Sequence, residues 1–298
     1  MRVLNIGSLN IDDVFEVGHF VRPGETIACE AYERFPGGKG ANQTVALARA
    51  GATVHHAGKI GEDGLFLREL LVGSGADCSR LLVSPRPTGH AIIQVDASGQ
   101  NCIILFGGAN HDIGAADISS FLEGWGRDDA VLLQNETSCL EPAMDECARR
   151  GLRIFFNPSP VKDNLAALPL DRVSCLILNE VEGEALSGEA DPERMIGALR
   201  PRLPRTDIVL TLGDRGVRFH GAAGHSFSRP ARRVEVVDTT AAGDTFTGYF
   251  IAALARGEGP ELAVDEGILA ASLCVSRKGA SSSIPLRSEI RAGLSIRP

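Results

Sequence analysis

At 298 residues, 44% hydrophobic and 23% charged, the chain has the size and composition of an ordinary globule able to bury a sizeable core. A formal net charge of −8 argues against a nucleic-acid partner or an anionic membrane surface, so any phosphate binding must be local. Seven cysteines, scattered from Cys29 to Cys274 without a C-x-x-C pair, read as free buried thiols rather than a zinc or redox site.

The N-terminus enters an apolar strand at Arg2-Val3-Leu4-Asn5-Ile6 without a basic segment, an apolar h-region or a cleavage site, and no apolar run approaches membrane-spanning length. A cytoplasmic enzyme without a membrane partner is expected. Apolar runs at 2–7, 130–134, 152–157, 174–178 and 207–212, with a weaker one from Val54 to Lys59, alternate with helix-like stretches such as 41–50, 64–72 and 141–150. That alternation predicts an α/β fold with a mostly parallel sheet, and the segment 217–237 reads as antiparallel strands at one edge.

Two segments, about 11–36 and 88–107, break the pattern. In the second, His90–Asp96 and Asn101–Phe106 flank the turn Ala97-Ser98-Gly99-Gln100, a β-hairpin signal. Its strands are apolar on both faces and need two covers. The expectation is one domain over 1–298 with a small inserted lid sheet, one face over the substrate and the other against a second copy's lid in a homodimer.

The loop Asp238-Thr239-Thr240-Ala241-Ala242-Gly243-Asp244 carries the most chemistry. Phe246, Tyr249, Phe250, Ala253 and Leu254 follow it at helical spacing, so it feeds a helix N-terminus. Ala241, Ala242 and Gly243 have almost no side chain, and their backbone N–H groups can approach an anion at the positive end of the helix dipole. Asp244 in the first turn can accept a proton from a hydroxyl attacking a phosphoryl group.

Phosphoryl transfer also needs an acceptor site, a triphosphate site and a metal route. Asn10 and Asp12 follow the first strand at the edge where open α/β sheets bind ligands. Gly37-Gly38-Lys39-Gly40 permits close backbone approach, Lys39 and Asn42 offer donors, and Glu136 stands beyond the strand Val131-Leu132-Leu133. Thr211-Leu212-Gly213-Asp214-Arg215-Gly216 follows a strand and suits a backbone-lined loop over phosphates or ribose. Neither G-x-x-x-x-G-K-[ST] nor G-x-G-x-x-G after the first strand is present, which excludes a P-loop kinase and disfavours a dinucleotide dehydrogenase.

The strings D-T-x-A-A-G-D-T-F and P-G-G-K-G-A-N-Q, in that relation to the G-S-x-N-x-D stretch at 7–12, resemble the signatures of the ribokinase family of carbohydrate kinases. The resemblance extends through Pro23-Gly24-Glu25-Thr26, Asn157-Pro158, Asn179-Glu180-Val181-Glu182 and Arg277-Lys278-Gly279-Ala280, nearly the whole chain. It implies a three-layer αβα sandwich with a mostly parallel central sheet and a small β-sheet lid. It also implies phosphorylation of D-ribose by ATP at the 5-hydroxyl, with Asp244 as base and the 241–244 amides as anion hole.

By the same resemblance, the sugar is held by Asn10, Asp12, Gly38, Lys39, Asn42, Glu136 and Asp244. ATP is held by Asn179, the stretch Thr211, Leu212, Gly213, Asp214, Arg215 and Gly216, and by Gly243 and Ile268. Glu182 would reach Mg²⁺ through water, since that ion keeps several waters beside substrate phosphates. Asp238, the carbonyls of Thr240, Cys274, Arg277 and Gly279, and the Ser283 hydroxyl would surround a monovalent cation, usually K⁺. Ile268 departs from the His or Asn common in the family. The remaining alternatives are another acceptor (a different pentose, deoxyribose or a nucleoside) and a non-catalytic sugar-binding regulator, which should have lost the base or the anion turn.

Overall fold

The apolar runs form a sheet buried from both sides. A computed structural model describes residues 1–163 and 165–295. Strand β1 (Val3–Ile6) leads within four residues to β2 (Asn10–Val17) of a second, smaller sheet, and β3 (Ala31–Gly37) returns to helix α1 (Lys39–Arg49). β4 (Val54–Ile60), α2 (Leu65–Gly73) and β5 (Asp77–Val83) follow, before β6 (Gly89–Asp96) and β7 (Asn101–Phe106) complete the small sheet. Next come α3 (Ala115–Phe121), β8 (Ala130–Gln134), α4 (Leu140–Arg149), β9 (Arg153–Asn157), β10 (Cys175–Asn179), α5 (Glu180–Ser187) and α6 (Pro192–Leu199). The chain finishes with β11 (Asp207–Thr211), β12 (Val217–His220), β13 (Ser226–Arg229), α7 (Ala242–Ala255), α8 (Pro260–Val275) and α9 (Arg287–Ser295).

The nine-stranded sheet has the order β13-β12-β11-β10-β9-β8-β1-β4-β5. Its strands pair in parallel except β12 and β13, which add antiparallel at one edge. Successive side chains point to opposite faces. Val3, Leu132, Phe155, Ile177 and Val209 meet Leu47 of α1, Phe250 of α7 and Leu269 of α8. Leu4, Leu133, Phe156 and Leu178 meet Phe121 of α3, Met144 of α4, Leu186 of α5 and Ile196 of α6. These are the three layers expected of the sequence. No helix among the described residues is long and apolar enough to cross a membrane.

The edge strands stop at Arg229. Residues 230–237, read from the sequence as strand, form none: Pro230 removes the next ladder donor, and Val234, Val236 and Val237 are exposed.

The small sheet has the order β3-β2-β6-β7. Its register puts Asp12, Ala91 and Leu105 on one face and Asp13, Ile92 and Ile104 on the other. At its base, buried Asp13 accepts from Tyr32 Oη (2.7 Å) and Arg34 Nε (2.8 Å), and lies 3.1 Å from His90 Nδ1. His90 Nε2 faces Asp63, in the turn after β4, at 3.2 Å, so this ring ties the small sheet to the main body. The cysteines are free, but only Cys147, Cys175 and Cys274 are buried. Cys29 and Cys102 are exposed because they belong to the small-sheet segments, which have little core of their own.

Candidate active site

Three glycines bring the end of β1 against the start of α1. A Cβ on Gly40 would stand 2.3 Å from the Ser8 backbone nitrogen, one on Gly7 2.7 Å from the Gly40 Cα, and one on Gly38 2.8 Å from the Asn10 nitrogen. Gly38 also has φ 92°, a conformation that favours glycine. Asn5, buried in β1, donates to the Gly40 carbonyl and to Thr44 Oγ1, both at 2.8 Å. The first turns of α1 are thereby fixed, with Lys39, Asn42 and Gln43 directed toward α7.

Ala241 adopts φ 60° and caps α7. The Ala242 N–H turns back to the Thr239 carbonyl at 3.3 Å and the Thr245 N–H bonds the Ala241 carbonyl at 2.8 Å. Of the expected anion-hole amides, Ala242 thus has an internal acceptor. A Cβ on Gly243 would meet nothing within 4 Å, so no protein atom demands glycine there; the open space is the cleft itself.

Asp244, 7% exposed, has both carboxylate oxygens engaged by successive residues of α1: Oδ2 accepts from Asn42 Nδ2 at 3.1 Å and Oδ1 from Gln43 Nε2 at 2.8 Å. Asn42 Oδ1 is buried and has no protein partner among the described residues, leaving an acceptor for a ligand hydroxyl. Asp244 lines a cleft of ≈ 220 Å³ with Lys39, Glu182, Asn157, Gly243 and Thr211. A wider, more open depression of ≈ 570 Å³ over residues 62–63 and 83–87 contains none of these groups. Burial alone would lower the Lys39 ammonium's pKa, but Asp244, Glu136 and Glu182 outweigh it and hold the pKa above its ordinary value. Lys39 therefore remains a fixed positive charge.

At the acceptor end, Asn10 Oδ1 accepts from Asn110 Nδ2 at 2.8 Å, and Asn110 also clasps the Leu9 backbone through its Oδ1 and Nδ2. Glu136 accepts from the Ser8 hydroxyl and from the Lys39 N–H. Burial, then the charges of Glu136 and Asp13, push Asp12 up to about 7.

On the opposite side, Asn179 caps α5. Its Oδ1 accepts from the Glu182 N–H at 3.0 Å, while the Glu182 carboxylate accepts from the Asn179 N–H at 2.9 Å and Nδ2 at 3.1 Å. This capping box fixes Glu182, 3% exposed, at the cleft. The Thr211–Gly216 turn closes with Leu212 N–H on the Gly216 carbonyl at 2.8 Å, and Arg215 pairs with Glu180. Ile268 lies on α8, 8% exposed and packed in the core.

Asp238 bridges two loops, accepting from the Thr240 N–H and the Gly279 N–H, each at 2.9 Å. Cys274 Sγ lies 3.0 Å from Ser283 Oγ and 3.6 Å from the Thr240 carbonyl. Asp238, Thr240, Cys274, Gly279 and Ser283 thus gather around one loop pair; the Arg277 side chain turns to Glu289, and the group expected there is its backbone carbonyl.

The sequence pattern of the pfkB family carbohydrate kinases matches residues 2–287. The chain belongs to this family. It is 36% identical over 296 residues to the ribokinase of Haemophilus influenzae, covering 95% of each chain. The crystal structure of the Thermotoga maritima ribokinase, 36% identical, superposes with a TM-score of 0.85 over 99% of both chains. The structure of the Arabidopsis thaliana ribokinase complexed with ribose and ATP, 29% identical, gives 0.88 over 99% of both. The chain is therefore a carbohydrate kinase with the ribokinase-like sandwich.

Within this pfkB architecture, sequence reasoning missed the polar groups behind the site: Ser8, Gln43, Asn110 and Gln134. Gln43 had a signal, since it stands four residues after Lys39 on α1 and so shares its helix face. Gln134 had none, because it closes an apolar run that reads as plain core strand.

Proposed function

We propose that this chain transfers the γ-phosphoryl group of ATP to the 5-hydroxyl of D-ribose, giving ribose 5-phosphate. The observation that carries the reading is Asp244, a carboxylate fixed at the N-terminus of α7 beside a glycine whose only neighbour is the cleft. Its support in kind comes from relatives named ribokinases and from the structure complexed with ribose and ATP.

Asn10, Asp12, Lys39, Asn42 and Glu136 hold the sugar hydroxyls at the ends of β1 and β8, with Gly38 allowing the backbone close. Asp244 takes the proton from the 5-hydroxyl as that oxygen attacks in line, and the N–H groups of Gly243 and Asp244, at the positive end of α7, stabilise the transferring charge. The nucleotide lies along Thr211–Gly216 and Asn179. Mg²⁺ enters with the triphosphate and reaches Glu182 through water, since that ion keeps several waters beside substrate phosphates. When bound, that ion neutralises phosphate charge. The loop pair around Asp238, Thr240, Cys274, Arg277, Gly279 and Ser283 takes K⁺.

The whole chain works as one kinase domain, with 11–36 and 88–107 as its lid. A second copy covers the outer lid face, where Ile92 and Ile104 are 41% and 59% exposed. Two exposed free thiols suit the reducing cytoplasm.

The test is ATP-dependent phosphorylation of D-ribose beside deoxyribose, other pentoses, hexoses and nucleosides. Ribose is expected to turn over fastest, and Asp244→Asn to lose about 10²- to 10⁴-fold in rate while still binding ribose. Turnover of another acceptor alone overturns the substrate; silence on all of them overturns the reading.

A further inference from the structure

Behind the proposed base runs a chain of buried amide side chains, Asn5, Gln134 and Gln43, whose orientations trace back to one backbone carbonyl. The Gly40 carbonyl can only accept, so the Asn5 group 2.8 Å away is its Nδ2, and Asn5 Oδ1 faces the other way. That oxygen lies 2.9 Å from Gln134, which must present Nε2 to it. The same Nε2 donates to Gln43 Oε1 at 2.7 Å. Gln43 is left with its Nε2 directed at Asp244 Oδ1 (2.8 Å) and Asn157 Oδ1 (3.0 Å). Asn157 is fixed in turn, because its Nδ2 donates to the Ile177 carbonyl at 3.0 Å. Asn5, Gln43 and Gln134 are all 0% exposed, so water does not compete for these bonds.

We infer that Gln43 is a positioning residue for the reaction: its side-chain amide, locked in one orientation by Gln134 and Asn5, aims the Asp244 carboxylate and keeps its ionised form supplied with a donor. Asn42, the other donor to Asp244, is in the expected sugar site and is drawn on by the substrate; Gln43 sits behind the carboxylate and stays. A reversed Gln43 amide would set an oxygen lone pair against a carboxylate oxygen, and the relay through Gln134 prevents it. The inference rests on Asp244 acting as base.

Gln43→Met removes the donor at nearly constant volume, and Gln43→Glu keeps the shape but replaces the donor with a second carboxylate. In Gln43→Met, kcat for ribose is expected to fall about 10- to 100-fold, the penalty typical of a misplaced reacting group, with KM for ribose changing less than about threefold. The acid limb of the pH–rate profile should move to higher pH, because a donor to the ionised carboxylate has gone. In the crystal structure of the variant, which requires no turnover, the Asp244 carboxylate should leave its position or occupy two rotamers. A change confined to packing would lower the melting temperature and leave the acid limb in place. Gln134→Met, which frees the Gln43 amide without touching Asp244, should move the acid limb the same way by a smaller amount. If Gln43→Met does not fold, Gln43→Glu carries the test and should move the limb further. An unmoved limb together with an unmoved Asp244 in a folded variant overturns the inference. An unsubstituted protein that turns over no sugar overturns the base instead, while the variant's crystal structure still decides whether Gln43 holds the carboxylate.

Discussion

Asp12 packs against Gly37 so closely that a Cβ at Gly37 would fall 2.1 to 2.2 Å from the Asp12 carboxyl atoms. The contact keeps an acidic group in a pocket between the small sheet and α1, next to Glu136 and Asp13, and this is why its pKa rises to about 7.

A pH-dependent stability follows from that site. A carboxyl group whose pKa is raised on folding stabilises the native state fully only below its unfolded value, near 4, and that contribution is lost as pH rises through about 7. The melting-temperature advantage of Asp12→Asn over the unsubstituted protein should therefore be small at pH 5 and grow to at least about 2 °C by pH 8.5, while ribose binding weakens. Thermal melts across this range, with ribose titrations, check both; equal melting temperatures at pH 8.5 would show that Asp12 carries no burden.

Gly243→Ala separates folding from chemistry. The new methyl meets no protein atom and alanine favours the helix, so the melting temperature should hold or rise slightly. The methyl would enter the cleft beside the amides, and kcat/KM for ATP should drop by at least about 10²-fold, the scale of a lost oxyanion donor. Steady-state kinetics with ATP varied gives the answer.

Asp238→Ala should release the 238–240 loop from Gly279. Burial works to raise the Asp238 pKa, but bonds from Thr240 and Gly279 outweigh it and the pKa lies below its ordinary value. Such a group contributes stability above its unfolded pKa, near 4, and loses it as pH falls through the lower folded value. The variant should thus be less stable at pH 7 by about 1–3 kcal/mol, converge with the unsubstituted protein in strong acid, and lose stimulation by K⁺. Denaturant melts and assays with K⁺ or Na⁺ separate these effects.

Ile104→Glu puts a charge on the outer face of the small sheet at a site 59% exposed in the single chain. The unsubstituted protein should sediment as the proposed dimer, and the variant should fold normally yet sediment as a monomer. A dimer that survives the charge would place the interface elsewhere.

The layers were readable because each strand-helix unit writes its own local pattern. Val131-Leu132-Leu133 and Leu176-Ile177-Leu178 are short runs buried on both sides, and Phe246, Tyr249 and Phe250 keep helical spacing, so periodicity alone places them. Lys39 and Asp244, which line the cleft, were readable for a related reason, as were Asn42 and Glu136 beside them: all four stand where an apolar run gives way to a loop or a helix start. The support behind them was hidden, since Asn5 and Gln134 sit inside apolar strands and their roles depend on long-range partners. The end of β13 was missed because Val234, Val236 and Val237 look like strand residues, and only the third dimension shows them exposed and outside any strand, with the Val237 N–H turned to the Val275 carbonyl of α8.

The small sheet joins the main body where β2 leaves β1, where β3 enters α1 and where β6 starts, and Asn10 pairs with Gly37 and Gly89 across these same junctions. The residues proposed to hold the sugar are therefore the junction residues themselves. A tilt of the sheet would carry Asn10 and Asp12 with it, so if the proposed lid closes on the acceptor, a fluorophore on Cys102, exposed on the outermost strand, is expected to report acceptor binding.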